Sequence, residues 1–224
     1  MTSSQTGRAQ ARLGILGGTF DPIHRGHLDV ARAAHDALAL DQVWLIPSHV
    51  PPHRPVQPVA SPFHRFAMVA LAADAPDTPW LVACDMELAQ EGPSYTAKTL
   101  ERLAGSGYEP SRIFFLTGAD AFAEIATWRD YPALLDLAQF VVISRPGFPV
   151  SAMRARVPEL AVRMIDVFPE KPVPAQPSIL LVDAPTADVS STEVRRRLAS
   201  GTPLEGRVPV AVERHAIRHG LYRA

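Results

Sequence analysis

The segment 17–27 restricts the fold of this chain more than any other stretch. It follows an apolar run at residues 13–16 and precedes an amphipathic run at residues 28–40, which predicts a strand, a tight turn and a helix. Gly17 and Gly18 would let the backbone approach a ligand closely. The start of a helix also offers unpaired N–H groups that attract phosphate. The pattern therefore predicts a phosphate-binding turn at the end of a strand.

Two histidines, His24 and His27, lie three residues apart on this turn. Their ring nitrogens can donate hydrogen bonds to one phosphoryl group, whereas a purely structural turn does not need two imidazoles. A glycine pair or a histidine alone would be typical of an ordinary strand–helix turn or a helix cap. We interpret Asp21 and Pro22 as structural, because Asp can bond to its own local backbone and Pro fixes φ.

Short apolar runs alternate along the chain with amphipathic runs. This alternation predicts parallel strands joined by right-handed crossovers and covered on both faces. The expected fold class is α/β, a Rossmann-like doubly wound parallel sheet with a small C-terminal helical part. Ligands bind such sheets beyond the carboxyl ends of the strands, where residues 17–27 are expected. The predicted strands are 13–16, 43–46, 80–84, 113–117, 140–144 and 179–182, and the predicted helices are 28–40, 62–73, 95–104, 119–125, 191–199 and 208–219.

Composition and charge favour one globular domain at residues 12–224, preceded by a flexible N-terminal tail at residues 1–11. Apolar residues make up 47% of the chain and the net charge is −1, which argues against bulk binding of nucleic acid. No apolar stretch has the length of a membrane span. The single cysteine, Cys84, excludes an internal disulfide and fits a reducing cytoplasm. The chain could form a homo-oligomer, and residues 156–177 give no readable pattern.

A second candidate phosphate site follows the last predicted strand. Ser190 or Ser191 is expected to cap a helix. Arg195 lies in the first turns of that helix, where the dipole disfavours a cation unless an anion is bound. Hydroxyls of Ser190, Ser191 and Thr192, helix N–H groups and the Arg195 guanidinium would together hold a triphosphate. The alternative is a capped helix with a solvated basic face.

The first of these segments resembles the signature of the nucleotidyltransferase superfamily, in which a strand–loop–helix carries a His-x-Gly-His pattern. His24, Gly26 and His27 match that pattern. Residues 189–195 resemble the Ile-Ser-Ser-Thr-x-x-Arg motif of the same superfamily, with Val189 in place of the isoleucine. Enzymes of this superfamily move a nucleoside monophosphate from a triphosphate onto an acceptor phosphate.

The resemblance implies catalytic roles for His24, His27 and Arg195. It implies an ATP site formed by Gly17, Gly18, Thr19, Phe20, His24, His27, Ser190, Ser191, Thr192 and Arg195. The next two arginines, Arg196 and Arg197, match no position of the motif. We expect both of them to be solvated surface charges.

Further segments look like one branch of the superfamily, the bacterial nicotinate-nucleotide adenylyltransferases. These segments are residues 46–54, 93–100, 118–120, 144–147 and 220–222. By this resemblance the acceptor is bound by Arg54, Tyr95, Thr96, Asp120, Trp128 and Arg129, with Trp128 against the pyridine ring. Structural alternatives are an N-cap for Thr96, a helix cap for Asp120, a solvated loop charge for Arg54 and core packing for Trp128.

Arg129 departs from the family pattern, in which an aromatic residue often follows this tryptophan. Its cation could instead meet the carboxylate of nicotinate. The resemblance implies that the phosphate of nicotinate mononucleotide attacks the α-phosphorus of ATP and that pyrophosphate leaves. Mg²⁺ would enter with ATP and keep mostly water ligands. No cluster of Asp, Glu and His in the sequence demands a dedicated protein metal site.

Three other functions stay open. The acceptor could be phosphopantetheine or nicotinamide mononucleotide, although the segments around Tyr95 and Trp128 argue against both. The chain could be a nucleotide-binding sensor without turnover, which the intact His24, His27 and Arg195 disfavour. It could also be a fragment of a class I aminoacyl-tRNA synthetase, which shares the His-x-Gly-His turn, but no tRNA-binding region is evident.

Overall fold

A computed structural model describes residues 11–51, 58–168 and 172–223. Its strands are β1 (Leu13–Gly18), β2 (Gln42–Pro47), β3 (Leu81–Ala83), β4 (Ile113–Gly118), β5 (Gln139–Ile143), β6 (Met164–Asp166) and β7 (Ile179–Val182). Its helices are α1 (Arg25–Leu38), α2 (Pro62–Ala73), α3 (Thr96–Gly105), α4 (Ala119–Phe122), α5 (Met153–Arg156), α6 (Ser191–Ser200) and α7 (Val210–Arg218). The predicted tail at residues 1–11 lies outside the described residues, apart from residue 11.

The strands form one sheet of order β3-β2-β1-β4-β5-β7-β6. Strand β1 pairs in parallel with β4, β4 with β5, β5 with β7, and β7 with β6. The predicted α/β class with a parallel sheet is therefore confirmed. All six predicted strands are present, with ends that differ by a residue or two. Within the described chain, no helix combines the length and apolar composition that a membrane span needs.

Two local predictions are wrong for identifiable reasons. Strand β6, inside the unreadable segment 156–177, was not predicted, because Met164 is buried whereas Ile165 and Asp166 are exposed. This short edge strand lacks the continuous apolar run of an inner parallel strand. The helix predicted at 119–125 ends early, since α4 stops at Phe122 and a 3₁₀ turn follows at Ile125–Thr127.

By density of contacts the chain divides into two compact units. Among the described residues, the first comprises 11–16, 30–43, 95–168 and 172–186, and the second comprises 17–29, 44–51, 58–94 and 187–223. In the first unit, β4, β5 and β7 are buried along almost their whole length, as inner parallel strands should be. Phe140 packs against Phe115 and Phe122, with ring centroids 5.4 and 6.4 Å away.

The second unit has a core in which α2 packs against α7. Ser61 begins α2 as its N-cap, since its hydroxyl accepts the backbone N–H of His64 at 3.3 Å, and Pro62 follows at a position where proline is tolerated. Met68 of α2 and Val212 of α7 are fully buried. The helices predicted at 62–73 and 208–219 are therefore both present, as α2 and α7.

Gly14 of β1 should not tolerate a larger side chain. A Cβ at this position would lie 2.9 Å from Leu40 Cδ1 and 2.9 Å from Val43 Cγ2, in a core without spare volume. We expect Gly14→Ala to lower the free energy of unfolding by about 1–3 kcal/mol, because neighbouring side chains must shift. Urea titration followed by circular dichroism measures this.

Gly105→Ala, at the end of α3, is the matched control. No heavy atom of the described residues lies within 4 Å of a Cβ built at Gly105, and alanine favours a helix over glycine by about 1 kcal/mol. We expect Gly105→Ala to be neutral or stabilising. Equal destabilisation by the two substitutions would contradict the packing argument.

Candidate active site

The predicted phosphate turn joins β1 to α1 and belongs to the second unit. Helix α1 begins at Arg25, earlier than predicted, so His27 lies in its first turn. Gly17 is exposed, and no heavy atom of the described residues lies within 4 Å of a Cβ built on it. Because its φ lies outside the left-handed region, the fold itself does not require glycine there. The open space above Gly17 suits a ligand that contacts the backbone.

The next three residues of the turn, 18–20, contact other residues of the protein. A Cβ on Gly18 would lie 3.0 Å from the ring of Phe20. The carbonyl of Thr19 accepts a hydrogen bond from Nη1 of Arg65 at 2.8 Å. Phe20 is buried, has a φ of 49°, and meets His27 edge-on with ring centroids 5.0 Å apart. The Phe20 side chain therefore supports the turn from the core, leaving backbone atoms of this stretch to face a ligand.

His24 and His27 stack against each other. Their ring centroids are 3.7 Å apart, and their planes are inclined by 28°. The backbone N–H of His24 donates to Nδ1 of His27 at 3.2 Å. Because Nδ1 accepts this bond, a neutral His27 carries its proton on Nε2, which makes Nε2 a donor for a phosphoryl oxygen.

Asp21 has the structural role that the sequence suggested, but its partners are distant in the chain. Asp21 is 2% exposed. It accepts the backbone N–H groups of Val59 and Ala60, at 2.8 and 3.0 Å, and the hydroxyl of Tyr222 at 2.9 Å. The expected bond to the local backbone is replaced by these three bonds, because a carboxylate removed from water needs several donors.

Sequence reasoning missed Arg65, a fully buried arginine of α2. Its Nη1 donates to Thr19 O at 2.8 Å and its Nη2 donates to His49 O at 3.2 Å. Burial lowers the pKa of Arg65, an effect that the nearby Asp21 carboxylate partly opposes. A signal was present, because Arg65 stands three residues before Met68, in the register of the buried face of α2.

The second predicted phosphate motif begins α6. Ser190 is its N-cap, accepting the backbone N–H of Glu193 at 3.2 Å. Ser191 donates its hydroxyl to Pro22 O at 2.9 Å. The prediction that a serine caps this helix is confirmed for Ser190. The hydroxyl of Ser191 instead joins the second motif to the first.

Arg195 completes this connection. Its Nη1 donates to Asp21 O at 2.8 Å and lies 3.8 Å from Asp21 Oδ2. Its Nη2 donates to Thr192 Oγ1 at 3.2 Å. The two motifs, far apart in sequence, are therefore hydrogen-bonded to each other within the second unit. These contacts fix the guanidinium while leaving it partly exposed, with 22% of the side chain accessible.

The two arginines after Arg195 differ from each other. Arg196 is exposed, as expected. The expectation of a solvated charge is wrong for Arg197, whose Nε lies 3.0 Å from Glu193 Oε1 and whose Nη1 donates to Pro203 O at 3.0 Å. Glu193 also pairs with Arg207 at 3.1 Å. The bonds from both guanidinium groups lower the pKa of Glu193.

Most of the predicted acceptor residues lie in the first unit. Tyr95 is the N-cap of α3, and among the described residues its side chain makes no capping bond. Thr96 is therefore the first helical residue, and its interpretation as an N-cap is wrong. The guanidinium carbon of Arg129 lies 4.6 Å from the ring centroid of Tyr95, within cation–π range. Arg54 lies outside the described residues.

Trp128 and Asp120 are both partly accessible. Trp128 is half-buried and meets Phe115 edge-on at 5.8 Å, so one part of its ring packs in the core while another part faces outward. Asp120 is exposed in the first turn of α4, whose N-cap is Gly118. The interpretation of Asp120 as the cap is therefore wrong. Its Oδ1 occupies the space of a Cβ on Gly118, beside Arg145.

The predicted residues that the structure describes thus include two clusters, one made by the two phosphate motifs and one made by Tyr95 and Arg129. Within the described ranges, no group of three His, Cys, Asp or Glu side chains could hold a metal ion. The structure brings the two phosphate motifs together, and it brings Arg129 to Tyr95. Chemically, the first cluster offers imidazole, hydroxyl and guanidinium donors for an anion, and the second offers an aromatic surface next to a cation.

Comparison with known proteins identifies the family. A family model described as cytidylyltransferase-like matches residues 15–197. The probable nicotinate-nucleotide adenylyltransferase of Roseiflexus sp. (strain RS-1) is 40% identical over 215 residues, covering 96% of this chain and 100% of that protein. A protein of the same name from Desulfatibacillum aliphaticivorans is 40% identical over 219 residues, covering 94% of this chain and 99% of the relative.

A solved structure shares the fold. Plasmodium falciparum nicotinic acid mononucleotide adenylyltransferase complexed with NaAD aligns with a TM-score of 0.70 at 17% identity, over 95% of this chain and 98% of the other. The family that the motifs at residues 24–27 and 189–195 suggest is therefore confirmed. With matches that span nearly the full length of the relatives, the chain belongs to the cytidylyltransferase-like family and, within it, to the nicotinate-nucleotide adenylyltransferases.

Proposed function

We propose that this protein transfers AMP from ATP to nicotinate mononucleotide, giving nicotinate adenine dinucleotide and pyrophosphate, a step of NAD biosynthesis. The observation that carries the proposal is the bonding of the two phosphate motifs through Arg195 and Ser191, to Asp21 O and Pro22 O. This joins imidazoles, hydroxyls and a guanidinium into one anion-binding surface. The names of the relatives support nicotinate mononucleotide as the acceptor.

In this reaction an ionised phosphate oxygen of the acceptor forms a bond to the α-phosphorus of ATP. The bond from that phosphorus to the β-bridging oxygen breaks, and its electron pair leaves with pyrophosphate. A phosphate monoester is largely ionised near neutral pH, so no general base is required. The protein therefore acts by positioning the reactants and by stabilising charge on the phosphoryl oxygens.

The phosphate motifs divide these tasks. His24 and His27 donate to the α-phosphoryl group and the triphosphate, with His27 using Nε2 because its Nδ1 accepts from the backbone. Gly17 lets the triphosphate approach the backbone, whereas the ring of Phe20 fills the space of a side chain at Gly18, which offers backbone atoms alone. Arg195, held by Asp21 O and Thr192, binds the β- and γ-phosphates together with the hydroxyls of Ser190 and Thr192 and the N–H groups that begin α6, to which Ser191 contributes its backbone N–H.

The acceptor is bound by the Tyr95 cluster, which consists of Tyr95 and the adjacent Arg129. The N–H groups at the start of α3 and the cation of Arg129 suit the carboxylate of nicotinate, because a carboxylate only accepts hydrogen bonds. Trp128 offers the outward part of its ring to the pyridine. Asp120 and Arg54 are the other residues that we assign to the acceptor. Mg²⁺ enters as MgATP and neutralises the phosphates. The single cysteine fits a cytoplasmic location.

An acceptor panel tests the proposal. With MgATP, purified protein should release pyrophosphate only when a pyridine mononucleotide is present, because the aromatic ring and the cation of the Tyr95 cluster suit a pyridine that carries a carboxylate. A coupled pyrophosphate assay with nicotinate mononucleotide, nicotinamide mononucleotide, phosphopantetheine and no acceptor measures this. Faster turnover with phosphopantetheine would refute the acceptor, and ATP binding without turnover for any acceptor would favour a sensor.

His24→Ala should lower kcat by roughly 10²- to 10³-fold, as expected for the loss of one charge-stabilising donor. The fold should persist, because the turn is also fixed through Asp21 and Thr19. Steady-state kinetics and a thermal melt measure both effects. His35→Ala, near the other end of α1, is the matched control and should leave kcat unchanged. Wild-type turnover in His24→Ala would make His24 a structural residue.

Arg195→Ala should raise the KM for ATP much more than the KM for nicotinate mononucleotide, because the guanidinium is placed on the triphosphate. Arg196→Ala is the control, since Arg196 is exposed; Arg197 is unsuitable because it pairs with Glu193. Titration of each substrate separates the two variants. Equal effects of Arg195→Ala and Arg196→Ala would identify this helix as a solvated basic face.

Nicotinate mononucleotide should be preferred over the nicotinamide form by roughly tenfold or more in kcat/KM, because the NH₂ of the amide would face donors and lose its hydrogen bond. Arg129→Ala should narrow this ratio by slowing the acid, while turnover of the amide serves as the internal control. Measurement of kcat/KM for both acceptors in both proteins decides the point. A wild-type preference for the amide would contradict the assignment of the Tyr95 cluster.

A further inference from the structure

Tyr222 lies beyond residues 15–197, the part of the chain that the family model matches. It is 7% exposed and has a φ of 67°, so its buried position depends on an unusual backbone conformation. Its hydroxyl donates to Asp21 Oδ1 at 2.9 Å. Burial, and next the carboxylate of Asp21, raise the pKa of Tyr222. The phenol therefore stays protonated and acts as a donor throughout the physiological pH range.

The carboxylate of Asp21 has a defined set of partners. Oδ1 accepts from Tyr222 and from the backbone N–H of Ala60, and Oδ2 accepts from the backbone N–H of Val59. The guanidinium of Arg195 is the cation that approaches next, with Nη1 3.8 Å from Oδ2. At that distance Nη1 instead donates to the backbone carbonyl of Asp21, at 2.8 Å.

The Tyr222 hydroxyl and the Arg195 guanidinium therefore approach the same carboxylate, the hydroxyl at Oδ1 and the guanidinium at Oδ2. If the hydroxyl is removed, Oδ1 loses a donor in a buried site, where an unsatisfied charge is costly. A small rotation of the Asp21 side chain toward Arg195 would replace the lost donor with a charge-assisted bond, which is stronger than a neutral one. The guanidinium would then turn toward Asp21 and away from any phosphate.

We propose that Tyr222 is a positioning residue, which occupies the Asp21 carboxylate so that Arg195 remains available to the triphosphate. This inference rests on the proposed function of Arg195. It assigns a role in ATP binding to a side chain from the last residues of the chain. Tyr222 itself is buried behind Asp21 and does not need to touch either substrate.

Tyr222→Phe tests the proposal, because the ring is kept and only the hydroxyl is lost. We expect the KM for ATP, and the Kd for MgATP measured by calorimetry, to rise roughly tenfold, as for one lost hydrogen bond at a charged group. The KM for nicotinate mononucleotide should stay unchanged. Tyr108→Phe, which removes a phenol hydroxyl in the first unit, is the matched control and should change neither constant.

A purely structural role would lower the melting temperature without separating the two substrates. A double-mutant cycle adds a second criterion. In an Arg195→Ala background, Tyr222→Phe should have almost no further effect on ATP binding, because the group it positions is absent. Additive effects on the Kd, or equal changes in both KM values, would overturn the proposal.

Asp21→Asn reaches the same link from the other side and covers the case in which Tyr222→Phe alone does not fold. A neutral amide attracts Arg195 less, so Tyr222→Phe in this background should leave the Kd for MgATP close to that of Asp21→Asn alone, and a roughly tenfold rise would overturn the proposal. Wild-type turnover tests the proposed function separately. If wild-type protein binds MgATP without releasing pyrophosphate, the proposed reaction fails, while the calorimetric cycle still decides the role of Tyr222.

Discussion

The hydrogen bonds to the buried carboxylate of Asp21 are the interactions on which the two candidate phosphate motifs depend. A charge removed from water has to be matched by donors, and here the donors come from Val59, Ala60 and Tyr222. The bonds to this one charge therefore fix the turn at Asp21, the segment 59–60 and Tyr222 relative to one another, although they are far apart in sequence. The backbone carbonyl of the same residue orients Arg195. Arg65 holds the same turn through Thr19.

Much of the fold follows from periodicity. The inner strands are continuous apolar runs and the helices between them are amphipathic, so their order predicts a parallel sheet without any knowledge of distant contacts. The pattern is insufficient where burial is incomplete, as in β6 with its exposed Ile165. It is also insufficient where backbone conformation decides the end of an element. Helix α1 ends at Leu38 because Ala39 has a φ of 47°.

The candidate site also contains residues that local sequence patterns reveal and residues that only contacts between distant segments reveal. His24, His27 and Ser190 could be selected from sequence as candidates because each belongs to a short local pattern, and the structure confirms Ser190 as an N-cap. Bonds between distant residues leave no periodic trace, which is why the link between Tyr222 and Asp21 was not predicted. Arg65 was missed although it shares the buried register of α2 with Met68. A charged residue in an apolar register is a signal of a buried ionic or hydrogen-bonded group, and it can be sought in other sequences.

The sequence separation of 201 residues between Asp21 and Tyr222 has a consequence for synthesis of the protein. Translation adds residues one after another, at roughly 5–20 per second, so Asp21 is made roughly 10–40 s before the hydroxyl that it accepts. During that interval its carboxylate has to stay hydrated, because the donor that completes its burial does not yet exist. The bond between Asp21 and Tyr222 therefore forms only after residue 222 has been made.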